Sequence, residues 1–379
     1  MKRILIAHQS TIPHYRVDFF NQLQRLKPDW WTFDVAYDVS EPQKKRFFSE
    51  ALDPASFEFN ILPVKTFGIP FLGSKTVYQT IPGKLRNYDA VVVEHAVYNL
   101  AYPLVSLAGL SGKPVGLWGH GKHVEAENPT GLKAAAENFK FWQINKAKVY
   151  FAYTSLTEDY LKSRNVDASK IVTLNNTIGI DDQRKAFEKE VDRRDAIRAE
   201  LGLRGKKVLM FVGRVNAAKR VDMLAEALKK LLETSTDWHA IIIGNGDKSA
   251  FSAIPDQHKT LCDAITNPIE LAPYYVASDL FVHPGLVGLA PLQAMCFNLP
   301  VVTVHSTKHK PEYAYLNEQN AVILPEYSGH SELAQAIEQY FKDHQPARSD
   351  AIWKSIQHLT MENMARNFAE GVQLLLGHP

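Results

Sequence analysis

Three short stretches of this 379-residue chain end an apolar run in a glycine-bearing loop, with side chains of the kinds that hold phosphate. In FVGRVNAAKR the run ends at Gly213, and Arg214 and Lys219 bracket the loop that opens a helical pattern. Cations at a helix N-terminus oppose the helix dipole, so Lys219 and Arg220 suit that place when an anion lies between them and the free amides of the first turn. In HPGLVGLAPLQAM, Gly285 and Gly288 permit close backbone approach and Pro291 suits a first helical turn, leaving the amides of Leu289 and Ala290 as donors for a diphosphate. The third loop is Gly244, Asn245 and Gly246, after the run III. Alone, the first would read as a solvated basic turn and the others as plain glycine turns. Together, at the ends of three strand-like runs, they point to one anion-binding rim. Neither G-x-x-x-x-G-K-[ST] nor G-x-G-x-x-G is present, which disfavours a P-loop kinase and a nicotinamide enzyme.

Such loops must hang from a sheet. Short β-branched runs at 3–7, 33–37, 90–94, 115–118, 149–153 and 171–175 alternate with longer helical patterns. Several are apolar throughout, as strands are when helices cover both faces of a parallel sheet. The alternation restarts at 207–212, 239–243, 280–283, 301–305 and 321–324, with helical patterns near 218–232 and 291–297. The expected fold is α/β: two doubly wound, Rossmann-like domains, 1–180 and 207–348, facing across a cleft. The highly charged segment 181–206 reads as their connector. Apolar residues at helical spacing from Ile352 to Leu375 predict a C-terminal helix, 349–379, that returns to the first domain.

Composition narrows the function. With 45% hydrophobic and 22% charged residues the chain is globular in type, and its net charge is only +2. Up to residue 185 there are 23 Lys and Arg against 18 Asp and Glu, and beyond it 20 against 23. That mild basic bias in the first half is too dispersed for nucleic acid, and it suits anionic phosphates or an anionic membrane surface. Cys262 and Cys296 alone make neither a disulfide framework nor a cysteine metal cage, which fits a reducing cytoplasm. The N-terminal apolar run is too short for a signal peptide, and the stretch 90–110 carries Glu94, His95, Asn99 and Pro103, so any membrane contact is expected to be peripheral. Aromatic and basic residues interleave in the first half, among them Trp30, Phe47, Phe67, Phe71, Lys75, Tyr78, Lys84 and Arg86, then Phe139, Lys140 and Trp142. They suggest a lipid-linked acceptor at a membrane surface, although most of those aromatics also suit a core.

FVGRVNAAKRVDMLAEAL, the GNG turn, YYVASDLFVHPGLVGLAPLQAMCFNLPVVT and KPEYAYLNEQNA resemble the donor-binding domain of GT-B, GT4-type (group 1) retaining glycosyltransferases. IPHYRVDFFNQL, LWGHGKH and LNNTIGI are similar to the branch that makes bacterial surface polysaccharides. The resemblance implies a GT-B fold and transfer of a sugar from a nucleotide diphosphate donor to a glycan or lipid-linked acceptor, with retention. It implies that Arg214 and Lys219 hold the diphosphate, and that Gly288 and Leu289 approach it through the backbone. Gly213, Asn216, Gly244, Gly285, Gln293 and Glu312 complete the expected donor site. His120 matches the family's cleft histidine, set to bond the donor sugar or the leaving-group charge, while His95, His123, His305 and His309 read as turn-capping histidines. Arg16 is the candidate for an acceptor phosphate, with a surface arginine as the plain alternative.

One departure stands out: where the family places two acids eight positions apart, this chain has Gly285 and Gln293. A glutamine amide offers a diol one neutral acceptor instead of a two-oxygen anion, which leaves Glu312 as the available carboxylate. No metal or other cofactor is expected, since D-x-D is absent and the His120/His123 and His305/His309 pairs fall in loops. Two other readings stay open: a sugar-nucleotide epimerase on the same architecture, and a non-catalytic relic that binds nucleotide sugar.

Overall fold

The structure, a computed structural model, describes residues 1–9, 12–38, 54–72, 76–121, 130–343 and 349–378. Phe47, Lys75 and His123 lie outside them. The chain divides into two compact units, the first made of residues 1–176 with 361–379 and the second of 177–360.

The first unit is built on a seven-stranded sheet in the order β3-β2-β1-β6-β7-β8-β9. Its strands are β1 (Lys2–Ala7), β2 (Trp31–Tyr37), β3 (Asn60–Pro63), β6 (Ala90–Glu94), β7 (Val115–Gly119), β8 (Val149–Ala152) and β9 (Ile171–Thr173), and β4 (Thr66–Gly68) with β5 (Val77–Gln79) forms a separate antiparallel hairpin. Every pairing in the large sheet is parallel. The central strands β7 and β8 are buried residue by residue, which explains their unbroken apolar sequence. The second unit repeats the plan with six parallel strands in the order β12-β11-β10-β13-β14-β15: β10 (Lys207–Val212), β11 (Trp238–Ile243), β12 (Lys259–Cys262), β13 (Leu280–His283), β14 (Val301–Val304) and β15 (Ala321–Leu324). In both sheets the order reverses beside the first strand, and such a switch point opens a crevice at the carboxyl ends of the strands.

The segment expected to be a separate connector is part of the second unit. It folds as helices Ile180–Glu190 and Arg194–Glu200, and Ile180, Phe187, Ile197 and Leu203 sit in that unit's core. Charge holds it as well as packing. Asp279, buried before β13, pairs with Arg194 and, at 3.0 Å, with Arg198, and it accepts the Val208 N–H at 2.8 Å. A buried carboxylate with this many donors is held in place, and its arginines with it.

The C-terminal pattern also divides. Helix Asp350–Ile356 buries Ile352 and Ile356 in the second unit, and helix Met361–Leu376 packs on the first unit, against helix His14–Leu26 and β8. The break falls at residues 357–360, where the Leu359 carbonyl accepts the Thr177 hydroxyl at 2.6 Å.

The terminal helix docks through Phe151, whose ring stacks on Phe368 with centroids 4.6 Å apart. The ring fills space left by two absent side chains. A methyl at Gly116 would meet it at 2.8 Å, and one at Gly371 would collide with the same ring. Alanine normally stabilises a helix interior over glycine by about 1 kcal/mol. Here overpacking opposes it, and Gly371→Ala is expected to destabilise the protein by about 1–2 kcal/mol. Thermal denaturation decides: an unchanged or raised Tm would show that Phe151 yields without cost.

Candidate functional site

In the second unit, four loops after β10, β11, β13 and β14 meet at the carboxyl edge of the sheet and are stitched backbone to backbone. The Gly213 N–H donates to the Ile243 carbonyl at 3.0 Å and the Val215 N–H to the Asn245 carbonyl at 2.9 Å. Gly244 and Gly246 have φ of 151° and 136°, and a Cβ on either would fall onto the carbonyl of Gly213 or Val215. These glycines are therefore required twice over, by backbone conformation and by contact. On the other side the Leu286 N–H donates to the Ala218 carbonyl at 2.8 Å and the Lys219 ammonium to the Leu286 carbonyl. The fourth loop closes the set. Its Lys310 N–H donates to the Val287 carbonyl at 3.0 Å, while His309 Nδ1 accepts the Val287 N–H at 3.0 Å and Nε2 donates to the Val304 carbonyl at 2.9 Å. Burial holds His309 neutral, down to about 4, so this strap does not titrate near neutral pH.

The expected donor residues divide by what they touch. A Cβ on Gly285 would strike the Ala218–Lys219 backbone, so its close approach is to the neighbouring loop. Gly244 likewise serves loop packing. Gly288 faces open space, and the N–H groups of Gly288, Leu289 and Ala290 have no hydrogen-bond partner among the described residues. Leu289 and Ala290 open the helix Ala290–Cys296, so these amides are donors that its first turn leaves over. Arg214 and Asn216 are exposed, with no side-chain partner among the described residues. Lys219 is half-buried, and desolvation, with Lys310 and Arg214 nearby, lowers it from 10.5 to about 8 against the opposing pull of Glu312. Lys310, which the sequence reading did not single out, thus makes a third cation on the rim. Its signal was its place beside Glu312 in KPEYAY.

Gln293 departs from expectation: its side chain points to the helical layer, donating to Gln183 Oε1 and accepting the Tyr275 hydroxyl, both at 3.2 Å. Glu312 is buried in the turn Pro311–Tyr315. Beneath the rim lies His283, wholly buried, its ring centroid 5.2 Å from that of Phe211 and neither nitrogen hydrogen-bonded among the described residues. Burial, with Lys219 close by, holds it neutral, down to about 3.

In the first unit, the ends of β1, β6, β7 and β8 gather a second polar cluster. His120 meets the Tyr153 ring edge-on, with centroids 4.3 Å apart. The Tyr153 hydroxyl lies 3.0 Å from His8 Nε2 and accepts from Arg16 at 3.4 Å. Arg16 is only 1% exposed: it donates to Asn176 Oδ1 at 2.7 Å and lies 4.9 Å from the Trp118 ring centroid. It is therefore not a surface arginine, and it positions Tyr153. Sequence reasoning missed His8 and Glu94, although both stand at the carboxyl ends of apolar runs. Burial, then the charges of Arg16 and His120, hold His8 neutral. Burial raises Glu94 to about 6, and it accepts the Tyr98 hydroxyl at 2.6 Å and the Gln9 N–H at 3.0 Å. His95 lies 3.2 Å from the Tyr150 hydroxyl, as a turn-supporting histidine would. Among the described residues no group of three His, Cys, Asp or Glu is placed to hold a metal.

Residues 206–343 match the family described as glycosyl transferases group 1. HepE of Anabaena, in complex with UDP, superimposes with a TM-score of 0.68 at 15% identity, covering 98% of this chain and 100% of the other. A glycosyltransferase from Rickettsia africae gives 0.70 at 13% with both chains fully covered, and the UDP-GlcNAc 2-epimerase of Neisseria meningitidis, bound to UDP-GlcNAc, gives 0.63 at 14%, covering 98% and 99%. The chain thus has the GT-B fold. Spore coat protein SA of Bacillus subtilis (strain 168) is 29% identical over 126 residues, an alignment that spans 29% of this chain and 33% of that relative.

Lys219 gives a test of the rim. An anion beside it restores the charged form, so binding draws in a proton wherever free Lys219 is neutral, above about pH 8 and below the raised value of the complex. Sulfate, which does not titrate there, should bind more weakly as pH rises through 8 to 10, with proton uptake visible by calorimetry in buffers of different ionisation enthalpy. Lys219→Met should lose both effects. A pH-independent sulfate affinity in the wild type would separate Lys219 from the anion site.

Proposed function

We propose that the protein is a retaining glycosyltransferase that moves a hexose from a nucleoside diphosphate donor to a hydroxyl of a glycan or lipid-linked glycan, in surface polysaccharide synthesis at the cytoplasmic face of a membrane. The observation that carries the reading is the rim of the second unit, where Arg214 and Lys310 lie near enough to Lys219 to act on its charge and the Gly288, Leu289 and Ala290 amides have no partner among the described residues, all inside the matched residues 206–343. The acceptor oxygen bonds to the anomeric carbon on the face that the nucleotide leaves. The bond from that carbon to the phosphate oxygen breaks, the nucleoside diphosphate departs with the electron pair, and the hydroxyl proton passes to it. Gly288 and Leu289 amides and the two nearer cations, Arg214 and Lys219, stabilise the charge that grows on the diphosphate. Asn216 and Glu312 contact the donor at the edge of the same loops. His120, which the resemblance assigns to the donor sugar or the leaving group, is steadied within the first unit by Tyr153.

The likeness to an epimerase favours one alternative, which a single assay separates. Given a panel of nucleotide sugars, a transferase releases nucleoside diphosphate only when acceptor is added, and an epimerase converts the donor alone. Binding with neither reaction would mark a relic. Arg214→Ala should weaken UDP or the preferred nucleoside diphosphate roughly tenfold, the effect of one lost charge-assisted contact. Calorimetric affinities equal to wild type would remove Arg214 from the donor site.

Cationic side chains and amides take the place of a divalent ion in this reading, so turnover should survive exhaustive chelation. Loss of activity with EDTA, restored by magnesium or manganese, would contradict it.

A further inference from the structure

We infer that the β4–β5 hairpin of the first unit is a docking element that seats on an anionic bilayer surface. Its two strands pair with Phe67 opposite Tyr78, and alternation sends Val77 and Gln79 to the other face. Those two side chains are wholly buried: the Val77 N–H donates to the Tyr98 carbonyl at 2.8 Å, and Gln79 accepts from the Asn99 side chain at 2.7 Å. The hairpin is therefore anchored on one side, and its remaining apolar side chains have nowhere to go but solvent. Phe67 is 53% exposed, and in the turn Pro70–Leu72, which buries none of its residues, Phe71 is 84% and Leu72 58% exposed. Large apolar side chains gathered on one projecting element mark an interaction surface.

Charge selects the partner. Between Glu58 and Asp89 the chain has no acidic residue, and its described residues there include Lys65, Lys84 and Arg86; Asp38, whose carboxylate accepts the Thr66 N–H of the hairpin at 2.6 Å, is buried. Lys65 is exposed at the hairpin base, where its carbonyl accepts the Thr80 N–H at 3.1 Å, and Lys84 and Arg86 belong to the turn Pro82–Asn87 that follows β5. Exposed aromatic and aliphatic side chains backed by cations fit the boundary between acyl chains and anionic headgroups. A second copy of the chain would bring two acid-free, basic segments together, which like-charge repulsion opposes. The inference deepens the membrane-surface part of the proposed function and does not depend on the transfer reaction.

The test is co-sedimentation of the full chain with vesicles of phosphatidylcholine alone and of phosphatidylcholine mixed with phosphatidylglycerol in equal parts, alongside UDP titration in solution. The wild type should pellet with the anionic vesicles and be released by salt. Phe71→Ser with Leu72→Ser should lower vesicle affinity about tenfold or more, as expected when two buried apolar side chains are lost. Lys65→Gln with Arg86→Gln should lower it and flatten the salt dependence, and both double variants should bind UDP as the wild type does. A wild type that stays in solution with both vesicles, or a Phe71/Leu72 variant that pellets as well as wild type, overturns the inference. So does a wild-type dimer that the Phe71/Leu72 variant dissolves, which would assign the hairpin to a second copy. Failure of the donor site would appear separately, as lost UDP binding with vesicle binding intact.

Discussion

Everything at the rim of the second unit depends on how closely four loops lie together. Gly244 and Gly246 run against the carbonyls of Gly213 and Val215, and Gly285 runs against the backbone of Ala218 and Lys219. No side chain fits between them, so the backbone hydrogen bonds that join the loops form at short range and without water. One consequence is that residues from loops some seventy positions apart, such as Lys219 and Leu286, share a bond. Another is that the amides of Gly288, Leu289 and Ala290, which the stitching leaves unused, are fixed in direction before any ligand arrives. A site whose donors need not reorganise stabilises developing charge more effectively than one assembled on binding.

That rigidity also sets the electrostatics. Lys219 is held half-buried by its bond to the Leu286 carbonyl, where desolvation and two neighbouring cations depress its pKa. A cation kept in that condition is under-compensated, and an anion relieves it. Below it, His283 and His309 are both kept neutral by burial and add no charge, so the rim's positive potential comes from Arg214, Lys219 and Lys310. The first unit solves a related problem differently. Arg16 is enclosed by Trp118, Tyr153 and Asn176, so aromatic faces and an amide oxygen attend a cation that water no longer reaches, although its Nε has no hydrogen-bond partner among the described residues.

Much of the fold was legible because a parallel sheet covered on both faces demands unbroken apolar strands. β6, β7, β10, β13 and β14 stand within a residue of their predicted bounds, and the rim could be read from glycines and cations at the ends of such runs. Four strands escaped notice: β3 and β12 lie at sheet edges, where partial exposure erases the pattern, and β4 and β5 are only three residues long.

Sequence by itself determined the α/β plan, the repeated sheet and the pattern of glycines and cations in the second unit's loops, because these follow from local runs and spacings. Tertiary structure alone decided which glycines serve loop packing and which face open space, since that depends on what the fold brings opposite each one. It likewise drew helices 180–190 and 194–200 into the second unit through Asp279, buried Arg16, and turned Gln293 toward Gln183 and Tyr275. Each of those outcomes rests on a contact between residues 18 to 160 positions apart, and no local pattern records which distant partner a side chain will meet.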